Sequence, residues 1–336
     1  MTLEMIKLIN PCNHKPLNPK PEGWVDDEGN SFSLEKGIHR FVKGTNYAEN
    51  FGFQWNKFEK TQIDRFQQNS IQSRERFFFV TRWEKEDLAQ RNVLEVGSGA
   101  GRFSQVVLQY TKANLYSVDY STAVDANFRN NGPHSRLHLF QANIYELPFA
   151  PGQFDKVFCF GVLQHTPDFR KSVKCLVDMV KPGGELIVDF YPVRGWYTKL
   201  HAKYFLRPLT RKMDHQKLLA WIERHADSLI AFYRFFDAIG LGKIVNRFLP
   251  VCDIKRTIPN KLDKATLREW VILDTFDMFS PDYDNPQRLQ TVIDWFQELG
   301  MVNVTGSVVR YGGNNFVTAV RGYSRPLEKD KSWQVA

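Results

Sequence analysis

The residues best suited to chemistry sit at four points of the chain, each at the end of a short apolar run. The first is Glu95-Val96-Gly97-Ser98-Gly99-Ala100-Gly101. Glycines at alternate positions permit a tight turn and close approach of a ligand to the backbone, and a helix starting there offers free N–H groups. The second is Asp119, followed by Tyr120, about two dozen residues beyond Glu95. An acid ending a second strand can accept hydrogen bonds from both hydroxyls of a ribose. The third, Gln141-Ala142-Asn143-Ile144, sets a polar amide beside an apolar residue, a pair able to hold the edge and face of an adenine. The fourth is Phe160-Gly161-Val162-Leu163-Gln164-His165. Taken alone, the glycine turn fits any nucleotide-binding α/β domain. Its combination with the other three stations is what points to one nucleotide-like ligand.

His165 is the natural general base at the fourth station, because imidazole changes charge near neutral pH. The competing reading is a histidine that caps the turn at Thr166-Pro167-Asp168. A second set of candidates follows Arg268-Glu269-Trp270 in Leu273-Asp274-Thr275-Phe276-Asp277. Asp274 and Asp277 are three apart and share one helix face, where they could orient or deprotonate a substrate hydroxyl; the bland alternative is a pair of solvated surface acids. The basic run Lys199, Lys203, Arg207, Arg211 and Lys212 lies among Tyr204, Phe205, Leu206 and Leu209. We read it as a helix with a wet basic face, in preference to a membrane-surface or phosphate-binding role.

Positioning these groups takes alternating strands and helices. Val93–Val96, Leu115–Val118, Leu137–Phe140, Lys156–Phe160 and Glu185–Val188 predict five strands, with a helix from Gly101 to Tyr110 after the first. Such interleaving implies parallel pairing in a doubly wound sheet. Between Pro192 and Pro286 the strand rhythm stops and the pattern is helical. Val292–Gly300 then predicts a helix closed by glycine, followed by strands at Val302–Val309 and Asn315–Val320. The expected organisation is a β-hairpin appendage over 1–45 and a helical lead-in over 46–90 that covers the ligand. The core takes in 91–191 and 287–322, interrupted by a helical insertion over 192–286, and a frayed tail occupies 323–336.

Composition bounds the rest. The chain has 336 residues, 43% hydrophobic and 24% charged, with a net charge of +8, which suits a globular protein and excludes a largely disordered one. Cys12, Cys159, Cys175 and Cys252 have no paired spacing, which argues against a disulfide framework and for a reducing compartment. With no secretion-signal pattern and no long apolar run, the expected location is cytoplasmic.

Together these motifs resemble the class I S-adenosylmethionine-dependent methyltransferases, particularly the small-molecule branch of the ubiquinone and menaquinone methyltransferases. The resemblance covers residues 91–191, and the last helix and two strands fit the family's reversed final hairpin. It implies a Rossmann-like, mostly parallel seven-stranded sheet, a lid formed by the insertion, and S-adenosylmethionine as cofactor. By that resemblance Glu95, Gly97, Gly99 and Gly101 surround the methionine part, Asp119 and Tyr120 the ribose and adenine, and Asn143 and Ile144 the adenine, with Ser98 and Gly161 also binding the cofactor. This branch usually has Asp where Asn143 stands, although an amide oxygen can still accept from the adenine amino group. Tyr47-Ala48-Glu49-Asn50-Phe51-Gly52-Phe53-Gln54-Trp55 resembles a segment that folds over the cofactor in bacterial biosynthetic methyltransferases, with Tyr47, Gln54 and Trp55 nearest it; alternation of Phe51, Phe53 and Trp55 also suits plain core.

Asn10 to Phe41 resembles a zinc-ribbon-like preface in which two Cys pairs precede a Gly-Ile-x-Arg-Phe run, here Gly37-Ile38-His39-Arg40-Phe41. Only Cys12, with His14, remains at the expected ligand positions, and a tetrahedral zinc needs four, so a degenerate, metal-free hairpin is expected. A dehydrogenase is a rival, but Arg102 stands where its third glycine would be. The charge and the preface suggest an RNA methyltransferase as a second rival, yet the fourth strand lacks the Asn/Asp-Pro-Pro-Tyr/Phe type of sequence. A non-catalytic cofactor-binding protein is the third. The expectation adopted is methyl transfer to an O or N atom of a small molecule, such as a sugar, glycan precursor or secondary metabolite, with no nucleic-acid partner.

Overall fold

Short extended runs broken by Pro and Gly open the chain as antiparallel neighbours: β1 (Asn18–Lys20), β2 (Gly23–Val25), β3 (Ser31–Glu35) and β4 (Ile38–Arg40). The computed structural model describes residues 6–67, 70–193, 195–258, 262–312 and 315–326. Helices α1 (Glu49–Lys57) and α2 (Gln72–Thr81) come next. The chain then alternates through β5 (Asn92–Val96), α3 (Arg102–Tyr110), β6 (Asn114–Asp119), α4 (Ala123–Asn131), β7 (Leu137–Gln141), β8 (Phe154–Phe160), α5 (Phe169–Met179) and β9 (Val180–Phe190). Helices α6 (Ala202–Thr210), α7 (His215–Ala238), α8 (Gly242–Phe248), α9 (Ile254–Thr257) and α10 (Lys264–Phe279) follow. The chain returns to the sheet with α11 (Leu289–Glu298), β10 (Val302–Tyr311) and β11 (Asn315–Tyr323).

The strands of the described residues join one sheet in the order β1-β2-β3-β4-β7-β6-β5-β8-β9-β11-β10. From β7 to β9 the pairing is parallel, while β11 and β10 run antiparallel. The seven strands expected from sequence are those from β5 to β11, but that count is too low for the sheet, which has eleven among the described residues. The N-terminal strands are not an appended hairpin: β4 pairs in parallel with β7, Ile38 opposite Leu139 and Arg40 opposite Gln141. The physical reason is the open edge of β7, whose unpaired backbone groups β4 satisfies, while Ile38 is buried against Val124 and Leu139.

The turns of this extension are tied by Asp26. Its carboxylate accepts from the side-chain amides of Asn10 at 2.6 Å, Asn13 at 2.9 Å and Asn30 at 2.8 Å, and from the N–H groups of Glu28 and Asn30. Burial works against the charge, but these donors hold the Asp26 carboxyl well below the usual range. A carboxylate thus gathers the turns that cysteines would gather in a metal ribbon.

Val93, Leu94 and Val96 of β5 are buried in near-continuous sequence, as strands covered on both faces must be. One face is covered by Leu176 of α5 and Phe296 of α11, the other by Phe77 and Val80 of α2 and Val106 and Val107 of α3. A separate core joins α1, α7 and α10 through Phe58, Leu218, Ile222, Ile272 and Phe276. The wet basic face expected for 199–212 is corrected at two positions. Lys203 lies 2.7 Å and Arg207 3.1 Å from Asp284, and both are largely buried there because an unpaired carboxylate at that depth would cost more than the desolvation of its partners. The tail expected from Tyr323 begins later, since β11 continues through Tyr323; residues 327–336 lie outside the described residues.

Candidate active site

A cavity of about 740 Å³ opens at the carboxyl ends of β5, β6, β8 and β9, and α1, α2 and α10 close over it. Open α/β sheets bind ligands at this edge, where the crossovers diverge on either side of β5 and β8. Gly97, Ser98 and Gly99 line its floor, Asp119, Tyr120 and Ile144 one side, and Gly161 and His165 the other. Tyr47, Gln54 and Trp55 line it from above, as do Asp274 and Asp277.

Gly97, Gly99 and Gly101 all have left-handed backbone, with φ of 83°, 53° and 84°. The free N–H groups expected at this turn are largely spent: Gly97 and Ser98 donate to the carbonyl of Val118, Gly99 to Asp119, and Gly101 to the carbonyl of Ser98. What the turn supplies is clearance. A Cβ on Gly97 would lie 2.2 Å from a Val162 methyl, and Trp55 sits directly over Gly99.

Three expected cofactor residues do not line the cavity. Glu95 points into the sheet behind it, where Ser104 and Ser117 hydroxyls donate to the carboxylate. Burial pushes its carboxyl up to about 7, against the pull of those two hydroxyls. Gly101 opens α3 behind the floor, against Asn127 and Asn131. Asn143 bends its amide oxygen back to the N–H of Tyr145, leaving Ala142 and Ile144 as the wall. A short amide next to a turn closes on its own backbone, which no spacing argument could exclude.

Asp119 is buried, and its carboxylate holds the Gly99 N–H at 2.8 Å and the Ser121 N–H and hydroxyl at 2.9 and 2.7 Å. Burial raises its pKa, opposed by those donors. Two oxygens with four lone-pair sites leave room for further donors. α1 presents Phe51, Gln54 and Trp55 to the cavity at helical spacing and turns Phe53 away, toward Phe276 at 5.6 Å. Their strand-like alternation in sequence is therefore misleading.

His165 is not a turn cap; Asp168 caps α5 instead. The imidazole is 5% exposed, tilted against Phe51 and edge-on to Tyr191. Its Nδ1 lies 3.0 Å from the carbonyl oxygen of Tyr283, which can only accept, so the proton is on Nδ1 and Nε2 carries a free lone pair. Nε2 is buried without a hydrogen-bond partner. Burial lowers its pKa, and the nearby Asp277 and Asp284 only partly restore it, so the ring is neutral. Asp277 in turn accepts from the Tyr191 hydroxyl at 3.4 Å and the Gln54 amide at 3.5 Å.

A methyltransferase-domain family matches residues 94–188, which span these strand ends. An uncharacterised protein of Synechococcus sp. is 25% identical over 224 residues, 64% of this chain and 48% of that protein. The tRNA U34 carboxymethyltransferase of Nautilia profundicola is 29% identical over 149 residues, 41% of this chain and 48% of that protein. The chain thus spans about half the length of both relatives. The ubiquinone biosynthesis O-methyltransferase of Pseudomonas aeruginosa is 31% identical over 165 residues, 47% of this chain and 71% of that enzyme. The chain belongs to the S-adenosylmethionine-dependent methyltransferases.

S-adenosylmethionine is the cofactor of this methyltransferase, and the cavity's residues fit it: a left-handed glycine turn at the floor, and the buried, unpartnered Ser98 Oγ and Gln54 Oε1 among the residues that line it. Sequence reasoning missed some of the residues that border the cavity. Arg76 of α2 binds one oxygen of Asp189 through Nε at 3.1 Å and Nη2 at 2.6 Å, while the other oxygen takes the Gly161 N–H at 2.6 Å. Burial opposes the Arg76 charge, but Asp189 more than offsets it, so Arg76 holds its proton more firmly than usual. Arg102 reaches Ser73 and Gln62 on the lead-in, and Tyr311 and Phe316 of the last hairpin join the wall. No local signal marks these, because their partners lie from 29 to more than a hundred residues away in the chain.

Proposed function

We propose that this methyltransferase methylates an oxygen or nitrogen of a small molecule, of the class of sugars, glycan precursors or secondary metabolites, with His165 as general base. The observation that carries this reading is the neutral, buried imidazole of His165, which lines the cavity of about 740 Å³ and whose Nε2 has no hydrogen-bond partner. Gly97, Ser98, Gly99, Asp119, Tyr120, Ile144, Gly161, Tyr47, Gln54 and Trp55 form the cofactor lobe, with Glu95, Gly101 and Asn143 supporting it from behind. Asp274 and Asp277 belong to the acceptor lobe, and helices α6 to α10 act as its lid.

The cofactor supplies an electrophilic methyl on a sulfonium. The protein's part is to aim an acceptor lone pair at that carbon and exclude water, an effect of roughly 7–11 kcal/mol when orientation is complete. As the acceptor's O–H or N–H loses its proton, His165 Nε2 takes it, and the imidazolium so formed is stabilised by Asp277 and Asp284 and by the Tyr283 carbonyl on Nδ1. A neutral base of lowered pKa stays competent at mildly acidic pH.

The test is radiolabelled methyl transfer to a panel of hydroxylated and amine-bearing small molecules and to total RNA, with S-adenosylhomocysteine binding measured by calorimetry. His165→Gln should lower kcat by about 10²–10⁴-fold while leaving that binding unchanged. Because burial lowers the His165 pKa, wild-type kcat should stay level as pH falls below 6.5 and drop only at lower pH. Full activity of the variant would remove His165 from the mechanism, and methylation of RNA alone would overturn the acceptor class.

A further inference from the structure

Most of the large apolar side chains left in solvent belong to one stretch of the chain. Among the described residues, Trp196 is 88% exposed, Phe205 61%, Leu209 72%, Phe235 63%, Ile244 62% and Phe248 54%. All lie between β9 and α9, where Lys203 and Arg207 of α6 turn inward to Asp284 and leave apolar residues outside. Part of this stretch is tied together, the segment bearing Trp196 to α8 and α8 to α7. Arg247 of α8 donates to the carbonyls of Tyr197 and Leu200, its guanidinium lying 5.4 Å from the Tyr197 ring, and the α7–α8 turn is closed by the Leu241 N–H on the Phe236 carbonyl.

Two observations decide what covers this face. The first is charge: residues 192–250 carry eleven Lys or Arg against four Asp or Glu, and with Lys203 and Arg207 turned inward to Asp284, Lys199, Arg211, Lys212, Arg234 and Lys243 are exposed on the same stretch as the apolar side chains. A second copy would bring two such basic faces together, whereas an anionic surface complements one. The second is position. Tyr197, Thr198, Lys243 and Arg247, at the inner margin of the face, also line the cavity.

We propose that this face docks on an anionic lipid bilayer, its aromatic and aliphatic side chains entering the interfacial layer and its basic residues meeting lipid phosphates. No helix among the described residues is long and apolar enough to cross a membrane, so the attachment lies along the surface. Docked in this way, the cavity mouth faces the bilayer, and an acceptor with an apolar tail enters without crossing water. The docking itself does not depend on the acceptor proposed above.

Flotation of the whole protein with unilamellar vesicles tests it. Vesicles of phosphatidylglycerol in phosphatidylcholine should carry the protein at low salt and release it at high salt, and pure phosphatidylcholine should not carry it. Phe205→Asp, Phe235→Asp and Ile244→Asp combined, and separately Lys199→Glu with Arg234→Glu, should each reduce the bound fraction at least about tenfold. Calorimetric binding of S-adenosylhomocysteine, unchanged in both variants, shows that they fold. Equal binding to both vesicle types, or binding that neither variant alters, overturns the proposal. So does a dimer, seen by light scattering, that the aspartate variant dissociates, since the face then belongs to a second copy. Loss of cofactor binding in the wild-type protein would count against the site reading and leave the flotation result to stand alone.

Discussion

Gly97 shows how much one residue position can carry. Its φ of 83° costs an L-residue about 1–2 kcal/mol, and its missing Cβ leaves room that the Val162 side chain takes up. Gly44, at φ 77°, has the same backbone freedom with nothing within 4 Å of a Cβ. Gly44→Ala should therefore cost only the backbone part, about 1–2 kcal/mol. Gly97→Ala should add roughly 1–3 kcal/mol of overpacking and weaken S-adenosylhomocysteine binding more than about tenfold, because Val162 shifts into the cavity. Chemical denaturation and calorimetry on the pair decide it, and equal stability losses would show that the clash is relieved without cost. The tight, left-handed turn at Gly97 was legible because backbone conformation is a local property. Asn143 was not legible, because its choice between a ligand and its own turn depends on what the next two residues do.

At the scale of elements, the Arg76–Asp189–Gly161 link joins α2, the end of β9 and the turn after β8. Asp189 is 1% exposed, so neutralising it strands the Arg76 charge. Asp189→Asn keeps an oxygen for the Gly161 N–H and still should destabilise the protein by about 3–5 kcal/mol, read by urea denaturation. S-adenosylhomocysteine binding should weaken with it, since the turn bearing His165 loses its anchor; an unchanged midpoint would mean that Arg76 finds another partner. The strands and helices of this region were readable from apolar period and glycine stops, with ends shifted by a few residues: β9 begins at Val180, ahead of the expected Glu185. The link between them was not, because a buried ion pair leaves no periodic trace in sequence.

At the scale of the molecule, the N-terminal strands are continuous with the main sheet, and that makes their attachment sensitive to acid. His39 on β4 accepts from the Trp24 indole at 2.9 Å through Nδ1 and stacks on Phe140, so its ring is neutral. Burial, helped by the neighbouring His138, lowers its pKa to about 4. The unfolded chain binds a proton near 6.5 and the folded one does not, so this contribution to stability is complete above 6.5 and is lost as pH falls toward 4. Hydrogen exchange should show β1 to β4 losing protection across that window before the parallel strands do, and His39→Phe should flatten the response. Simultaneous loss in all strands would show that the extension and the core unfold as one unit.

The sequence by itself determined the doubly wound core, the glycine floor, the acid that closes β6 and the helical character of the insertion. Each of these rests on period, spacing or backbone freedom within a few residues. Tertiary structure alone decided that β4 completes the sheet's edge and that Glu95 and Asn143 turn from the cavity. It also decided that Lys203 and Arg207 are spent on Asp284, leaving apolar side chains outside, and that His165 keeps a free Nε2. In each case the outcome depends on which partner, far away in the chain, reaches a polar group first. Burial then makes that pairing binding, because a polar atom left without one loses its water and gains nothing in return.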